Sequence, residues 1–258
     1  MSVYIKNFLK FQPLLEELVS RDVKIKYRRS VLGVFWTLLN PLLMMIVLSV
    51  VFSNLFKFDI DNFPLYLLSG QVIFNFFNDA TTNAMSAIVG NAALIKKVYV
   101  PKYMFVLSRV FSSFINLLAS CTALFLVMIA TRAELHWTLL LAVVPITLLV
   151  LLSLGIGLFL SAITVKFRDV MHLYSVLMTV LMYLSPVIYP MSILPEWLHG
   201  LVMLNPLTNI IIMFREVVLY NTVFSAESLI LTIVETIIFM VIGIYVFRKK
   251  QDEFILNL

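Results

Sequence analysis

Asn75, Asn78, Asp79 and Asn83 crowd into the second half of a stretch, residues 63–89, that is otherwise free of charge. Such side chains are costly against hydrocarbon. They persist where they hydrogen-bond to neighbouring helices or border a water-filled path for a polar solute. Glu235, the lone acid in residues 229–247, poses the same choice. Other chemistry has little to stand on. None of the seven glycines precedes a lysine, so the phosphate-cradling Gly-Lys-Ser/Thr loop of ATP-cleaving proteins is missing. His136, His172 and His199 are isolated, and the single Cys121 sits in an apolar run, which leaves neither a metal centre nor a disulfide framework. No Gly-x-Ser-x-Gly elbow and no convincing pair of acids for sugar cleavage occur. The expectation is a chain that is not an enzyme and holds no cofactor of its own.

The elements that must position these polar residues are membrane spans. Of the 258 residues 62% are hydrophobic and 13% charged, with a mean hydropathy of +1.02. Soluble domains hold roughly 45–50% apolar residues. Residues 30–56, 110–131, 135–165 and 170–195 contain no Asp, Glu, Lys or Arg. Each exceeds the roughly 20 residues that cross a bilayer core. With 63–89 and 229–247 they make six transmembrane helices. No removable signal peptide is apparent in the mixed acids and bases at the start.

Charge sets the orientation. Sixteen of the nineteen lysines and arginines fall in residues 1–29, the second and fourth loops and the tail; Lys57, Arg132 and Arg215 are the exceptions. Cytoplasmic loops are enriched in bases, so both termini are expected in the cytoplasm. The same placement, in short loops beside apolar spans, explains the net charge of +5 without nucleic acid. Before the first span, Ile5, Phe8, Leu9, Leu15, Leu18 and Val19 recur every three or four residues. They predict an amphipathic helix lying against membrane lipids. Residues 190–226 are too apolar for a free loop and are broken by Pro190, Pro195 and Pro206. Two re-entrant helices, 195–204 and 207–219, dipping in from the outer face, fit this pattern and point to a gate. Trp197, Arg215 and Glu216 belong to that gate segment.

Three stretches taken together resemble the membrane-spanning subunits of ABC-2-type exporters, in particular the branch that moves lipid-linked O-antigen, capsule or teichoic acid across the bacterial inner membrane. LVSRDVKIKYRRSVLGVFWTLLNPL (18–42) joins a basic run, a Ser-Val-Leu-Gly turn, a tryptophan at the membrane edge and Asn-Pro inside the first span. GNAALIKKVYVPKYMFVLSR (90–109) occupies the loop where that family places a short cytoplasmic coupling helix. SPVIYP, LPEWL and LNPLTNIIIMFREVVL, within 183–219, resemble the family's external re-entrant helices between spans 5 and 6.

The resemblance covers essentially the whole chain as a single domain, 1–258. It divides into an amphipathic and basic segment (1–29), spans 1 to 5 (30–189), the gate helices (190–226), and span 6 with the tail (227–258). It implies a homodimer around a central path, with two copies of a separate nucleotide-binding subunit that carries ATP and Mg. Asn91, Leu94, Ile95, Lys96, Lys97, Val98, Pro101 and Lys102 would then couple to the ATPase. Phe35 and Trp36 mark the headgroup boundary where a lipid-pyrophosphate comes in, and Arg28 and Arg29 are suited to its phosphates. Phe74, Phe77, Asn78, Asp79, Tyr174 and Tyr183 are candidates for the path of the glycan. A drug or small-lipid exporter of the same class shares this topology. A passive channel would need no coupling loop, and a glycan-processing enzyme would need the acids or metal site that are missing.

Overall fold

The computed structural model describes the backbone of residues 3–27, 32–55, 60 and 62–258; the side chains of 3–9, 27, 34 and 53–55 are not described. Arg28 and Arg29 therefore lie outside the described residues, as does Lys57. In chain order the helices are α1 (Val3–Tyr27), α2 (Trp36–Leu55), α3 (Phe63–Met85), α4 (Ala87–Gly90), α5 (Ala92–Ile95), α6 (Tyr103–Ala130), α7 (Val143–Thr164), α8 (Val170–Leu184), α9 (Glu196–Met203), α10 (Pro206–Val218), α11 (Ala226–Lys250) and α12 (Phe254–Asn257). Among the described residues there is no strand.

Local chemistry sets several helix boundaries. The Asn62 side chain accepts from the Leu65 N–H at 3.3 Å, with proline in the first turn, and starts α3. Asn205 and Pro206 start α10 in the same way, and Ser225 caps α11 by accepting from the Ser228 N–H at 3.1 Å. Each cap supplies an acceptor to an otherwise unpartnered helix N–H. Glu227 in the first turn of α11 and Arg248, Lys249 and Lys250 in its last turn oppose the helix dipole. Gly33, in the Ser-Val-Leu-Gly turn before α2, has φ of +51°, which glycine adopts without steric cost.

Tyr103–Ala130, Trp137–Thr164 and Ala226–Asn257 are long and apolar enough to cross a membrane on their own. Glu196–Met203 and Pro206–Val218 pass together as one pair bent by 95°. Val170–Leu184 is a shorter apolar helix, and Trp36–Phe52 is the part of apolar α2 whose side chains are described. The run expected to continue to residue 195 stops as helix at Leu184, because Pro186 and Pro190 deny the backbone donors that would extend it. Residues 87–95 form two four-residue helices.

Helix α3 sits at the centre, packed on α6 and α7, while α11 lies along α7. Leu65, Leu67, Leu68, Val72, Ile73, Ala80 and Ala84 of α3 are inaccessible or nearly so. Helix α1 turns Leu15, Leu18 and Asp22 inward, toward α6. Apolar side chains of α8 (Leu173, Val176, Val180) and α11 (Ile230, Ile237, Val241) remain exposed, as a lipid-facing or chain-facing surface must.

Without hydrophobic attraction between spans in lipid, close packing decides which helices associate, and small residues permit it. A Cβ at Gly243 would overlap the Gly155 carbonyl oxygen, and a Cβ at Gly155 would lie 2.7 Å from the Met240 backbone. The α7–α11 contact thus rests on two glycines facing each other. Gly243→Val is expected to cost about 1–3 kcal/mol by overpacking, read as a lower thermal midpoint in detergent. Gly200→Ala, with nothing within 4 Å of the added carbon, should not lower it.

Candidate transport path and coupling surface

Helix α3 separates two clefts. Gln71, Asn75, Asp79 and Asn83, four residues apart, point to one side; Phe74, Asn78, Thr82 and Met85 point to the other. The first cleft lies between α2, α3 and α6, has a volume of about 570 Å³, and includes Trp36, Asn40, Asn116 and Ser120 in its wall. It shares Lys26, Asp79 and Asn116 with an adjoining space of about 370 Å³ that reaches Asp22 and Arg109. The second cleft, about 280 Å³, lies between α3 and α8 and is lined by Tyr174 and by methionines including Met171, Met178 and Met182.

Asp79 meets Lys26 of α1 at 3.8 Å, with both side chains half-exposed. An ion pair this open contributes at most about 1 kcal/mol and separates readily. Tyr174 is buried and donates to Thr81 Oγ1 at 2.6 Å, which fixes its ring beside α3. Phe74 is buried yet borders the α3–α8 cleft, Phe77 belongs to the core, and Tyr183 is exposed near the end of α8. Phe35 and Trp36 are both about half-exposed at the start of α2, and Trp36 borders the larger cleft.

At the end of α3 the segment that follows is tied to α1. Asn91 is buried, donates to the Ala87 carbonyl at 2.8 Å, and accepts from Arg21 at 3.0 Å. The same guanidinium holds Asp22 at 3.1 Å, and Asp22 in turn faces Arg109 of α6 at 3.4 Å. One buried carboxylate therefore joins α1, α6 and the 87–95 helices. Ile95 is buried and Leu94 packs on the core, whereas Lys96, Lys97, Val98 and Tyr99 are exposed. Pro101 and Lys102 are half-buried, and Lys102 donates to the Gln251 carbonyl and lies over the Phe254 ring. Phe254, fully buried, meets Phe247 edge to face at 5.4 Å, so the tail folds back onto the exit of this segment.

At the opposite end of α3, Arg215 of α10 is buried. It donates to the carbonyl oxygens of Tyr66 (3.0 Å), Pro186 (2.5 Å) and Val187 (2.8 Å) and to Ser69 Oγ (3.3 Å), and stacks on the Tyr66 ring at 3.5 Å. Gly70 leaves it room, since a Cβ there would collide with the guanidinium and lie 2.8 Å from the Val187 oxygen. Tyr66 also donates to the Tyr189 carbonyl, and Asn205 to Ser185 Oγ. The broken backbone of residues 185–190 is thus held by side chains from α3 and α10 and its flanks. Pro190 and Pro195 precede the short turns at 191–193 and α9, and Pro206 opens α10. Trp197 is exposed and Glu216 half-buried.

Arg215 stood out as a base within an apolar run. Its seat on Tyr66, Ser69 and Gly70, and the amides Asn40, Gln71 and Asn116 of the larger cleft, are what sequence reasoning missed. Asn116 and Ser120, four apart in an uncharged span, are a further local signal for that cleft, beside Asn75 and Asp79. Arg215→Met is expected to destabilise the protein by about 3 kcal/mol, since it strands several buried acceptors. Arg215→Lys should fall short of wild type as well, because an ammonium lacks the planar fork; thermal unfolding in detergent checks both.

A model of the ABC-2 type transporter family matches residues 13–219. The O-antigen export system permease protein RfbA of Klebsiella pneumoniae is 27% identical over 243 residues, 93% of each chain. A protein of the same name from Myxococcus xanthus is 28% identical over 252 residues, 97% of each chain. The polysialic acid transport protein KpsM of Escherichia coli is 23% identical over 243 residues, 92% of this chain and 93% of that one. With most of its length inside the family model, the chain belongs to the ABC-2 type transporter family and is a multi-pass membrane protein.

Proposed function

We propose that this chain is the membrane-spanning subunit of an ATP-driven exporter that moves a lipid-linked polysaccharide out of the bacterial cytoplasm across the inner membrane. The observation that carries the reading is its end-to-end similarity to permeases named for O-antigen and polysialic acid transport. The geometry is in keeping with a polar cargo. Thr82 of α3 and His172, Ser175 and Thr179 of α8 are exposed on helices that otherwise suit lipid. Polar groups at that depth face protein or water. A second copy of the chain meeting these faces would enclose a wet path, with the methionines of α8 as adaptable packing beside it.

In this reading α2, α3, α6, α7, α8 and α11 make six crossings. The short length of α8 and the amides of α3 keep these two from standing out by hydropathy. The basic residues place α1, the 87–102 segment and the tail in the cytoplasm. There the exposed Lys96, Lys97, Val98 and Tyr99 form the docking surface for two copies of a nucleotide-binding ATPase, which would carry ATP and Mg. ATP on that partner distinguishes two conformations, and the Asp22–Arg21–Asn91 contacts pass the difference to α1 and, through Arg109, to α6. The basic run 21–29, with Phe35 and Trp36 at its end, receives the lipid diphosphate. At the outer face α9 and α10 form the gate, hinged on the 185–190 break.

The test is to co-purify the chain with its candidate ATPase and measure ATP hydrolysis in lipid with and without a polyprenyl-diphosphate-linked glycan. Stimulation by the glycan is expected. Val98→Asp should abolish co-purification while the chain alone stays monodisperse, and Asn91→Ala should lower glycan moved per ATP. A stable complex indifferent to glycan would point to another cargo, and no complex would favour a passive channel.

A further inference from the structure

The larger cleft lies inside one chain, between α2, α3 and α6 with Lys26 of α1 at its edge, and shares with the α3–α8 cleft the side chain of Met182. Its contents are specific. Asn40, Gln71, Asn75 and Asn116 contribute four carboxamides, and Trp36 contributes an indole at the edge. Gln71 is 3% exposed and its Oε1 has no hydrogen-bond partner among the described residues. A buried amide oxygen left unpaired is costly, and such groups in native proteins have a reason. Its terminal torsion is soft, so the amide can turn to meet a guest.

Carboxamides both donate and accept, which matches hydroxyl groups that also do both. An aromatic face suits the apolar C–H face of a sugar ring. The volume of about 570 Å³ falls within the roughly 300–1,000 Å³ of small-molecule sites. Charge narrows the guest further. Among the described residues, the cations bordering this space and its extension are Lys26, which faces Asp79 at 3.8 Å, and Arg109, which faces Asp22 at 3.4 Å. Each is matched by a carboxylate, so an anionic sugar would bring unbalanced negative charge beside two acids.

We infer that this intrachain cleft is a recognition site for an uncharged glycosyl unit of the transported polymer, with Trp36, Gln71 and Asn75 determining specificity. The inference rests on the polysaccharide-export reading and adds to it a preference for neutral over acidic glycans.

The experiment uses the chain with its ATPase partner in lipid nanodiscs and two polyprenyl-diphosphate-linked oligosaccharides, one of neutral hexoses and one with hexuronic acids at matched positions. Trp36 emission is followed in a Trp137→Phe, Trp197→Phe background, alongside stimulation of ATP hydrolysis. The neutral probe should half-saturate both signals at a concentration about tenfold below the acidic one, the size expected from a few unmatched polar contacts. Gln71→Met, close in volume, and the exposed Asn75→Leu should each erase that difference by weakening the neutral probe. If both probes act equally and neither variant changes their half-saturation, the cleft inference is overturned while the exporter reading stands. If neither probe stimulates hydrolysis or alters Trp36 emission, both fall.

Discussion

A helix that stops inside an apolar medium strands carbonyl oxygens that water cannot reach. At residues 185–190 the chain contains two prolines and no helix, and the missing donors come largely from one guanidinium. Arg215 reaches the Pro186 and Val187 carbonyls and anchors on α3 through Tyr66 and Ser69. Its planar fork matters, because one residue satisfies acceptors on two separate segments at once. The end of α8, the N-terminal part of α3 and the last turn of α10 all meet at that contact. Gly70 is small because the guanidinium occupies the space beside it.

The same constraint explains the opposite end of the molecule. Asp22 is a buried acid, and removing it from water is tolerable because Arg21 and Arg109 approach from two sides. The arrangement links three elements far apart in sequence, with Arg21 and Asn91 separated by 70 positions. Between the two ends, α3 satisfies the constraint differently. Gln71 is buried, Asn78 and Asn83 are half-buried and Asn75 is exposed, and all four flank clefts. Firmly tied ends with a loosely paired polar middle suit a conduit, in which the wall must not hold its cargo tightly.

Much of this was legible in the sequence because hydropathy and proline act locally. Apolar runs announce the spans, and Pro190, Pro195 and Pro206 announce breaks, whereas the break at Pro186 falls within a run that reads as continuing to residue 195. The polar half of α3 was legible too, as a cost that needed an explanation. What stayed hidden depends on which way a side chain turns once helices pack. Phe74 and Phe77 are three residues apart in one helix, yet Phe74 borders a cleft and Phe77 is lost in the core. The partner of Arg215 could not be read locally, because its acceptors are backbone carbonyls, which every residue has. The 87–102 stretch drew attention by resemblance, whereas the buried Asn91–Arg21 contact and the tail contact at Lys102 join residues far apart in sequence.

The central claim is that the polar face of α3 borders water in the assembled protein and does not face lipid. In a Cys121→Ser background, Asn78→Cys and Ile237→Cys place a single thiol on α3 and on the apolar face of α11. A charged methanethiosulfonate reagent reacts with thiolate, which forms where water reaches. The account predicts rapid labelling of the α3 thiol and protection of the α11 thiol in native membranes. Equal protection of both, in protein that remains folded and membrane-inserted, would contradict it.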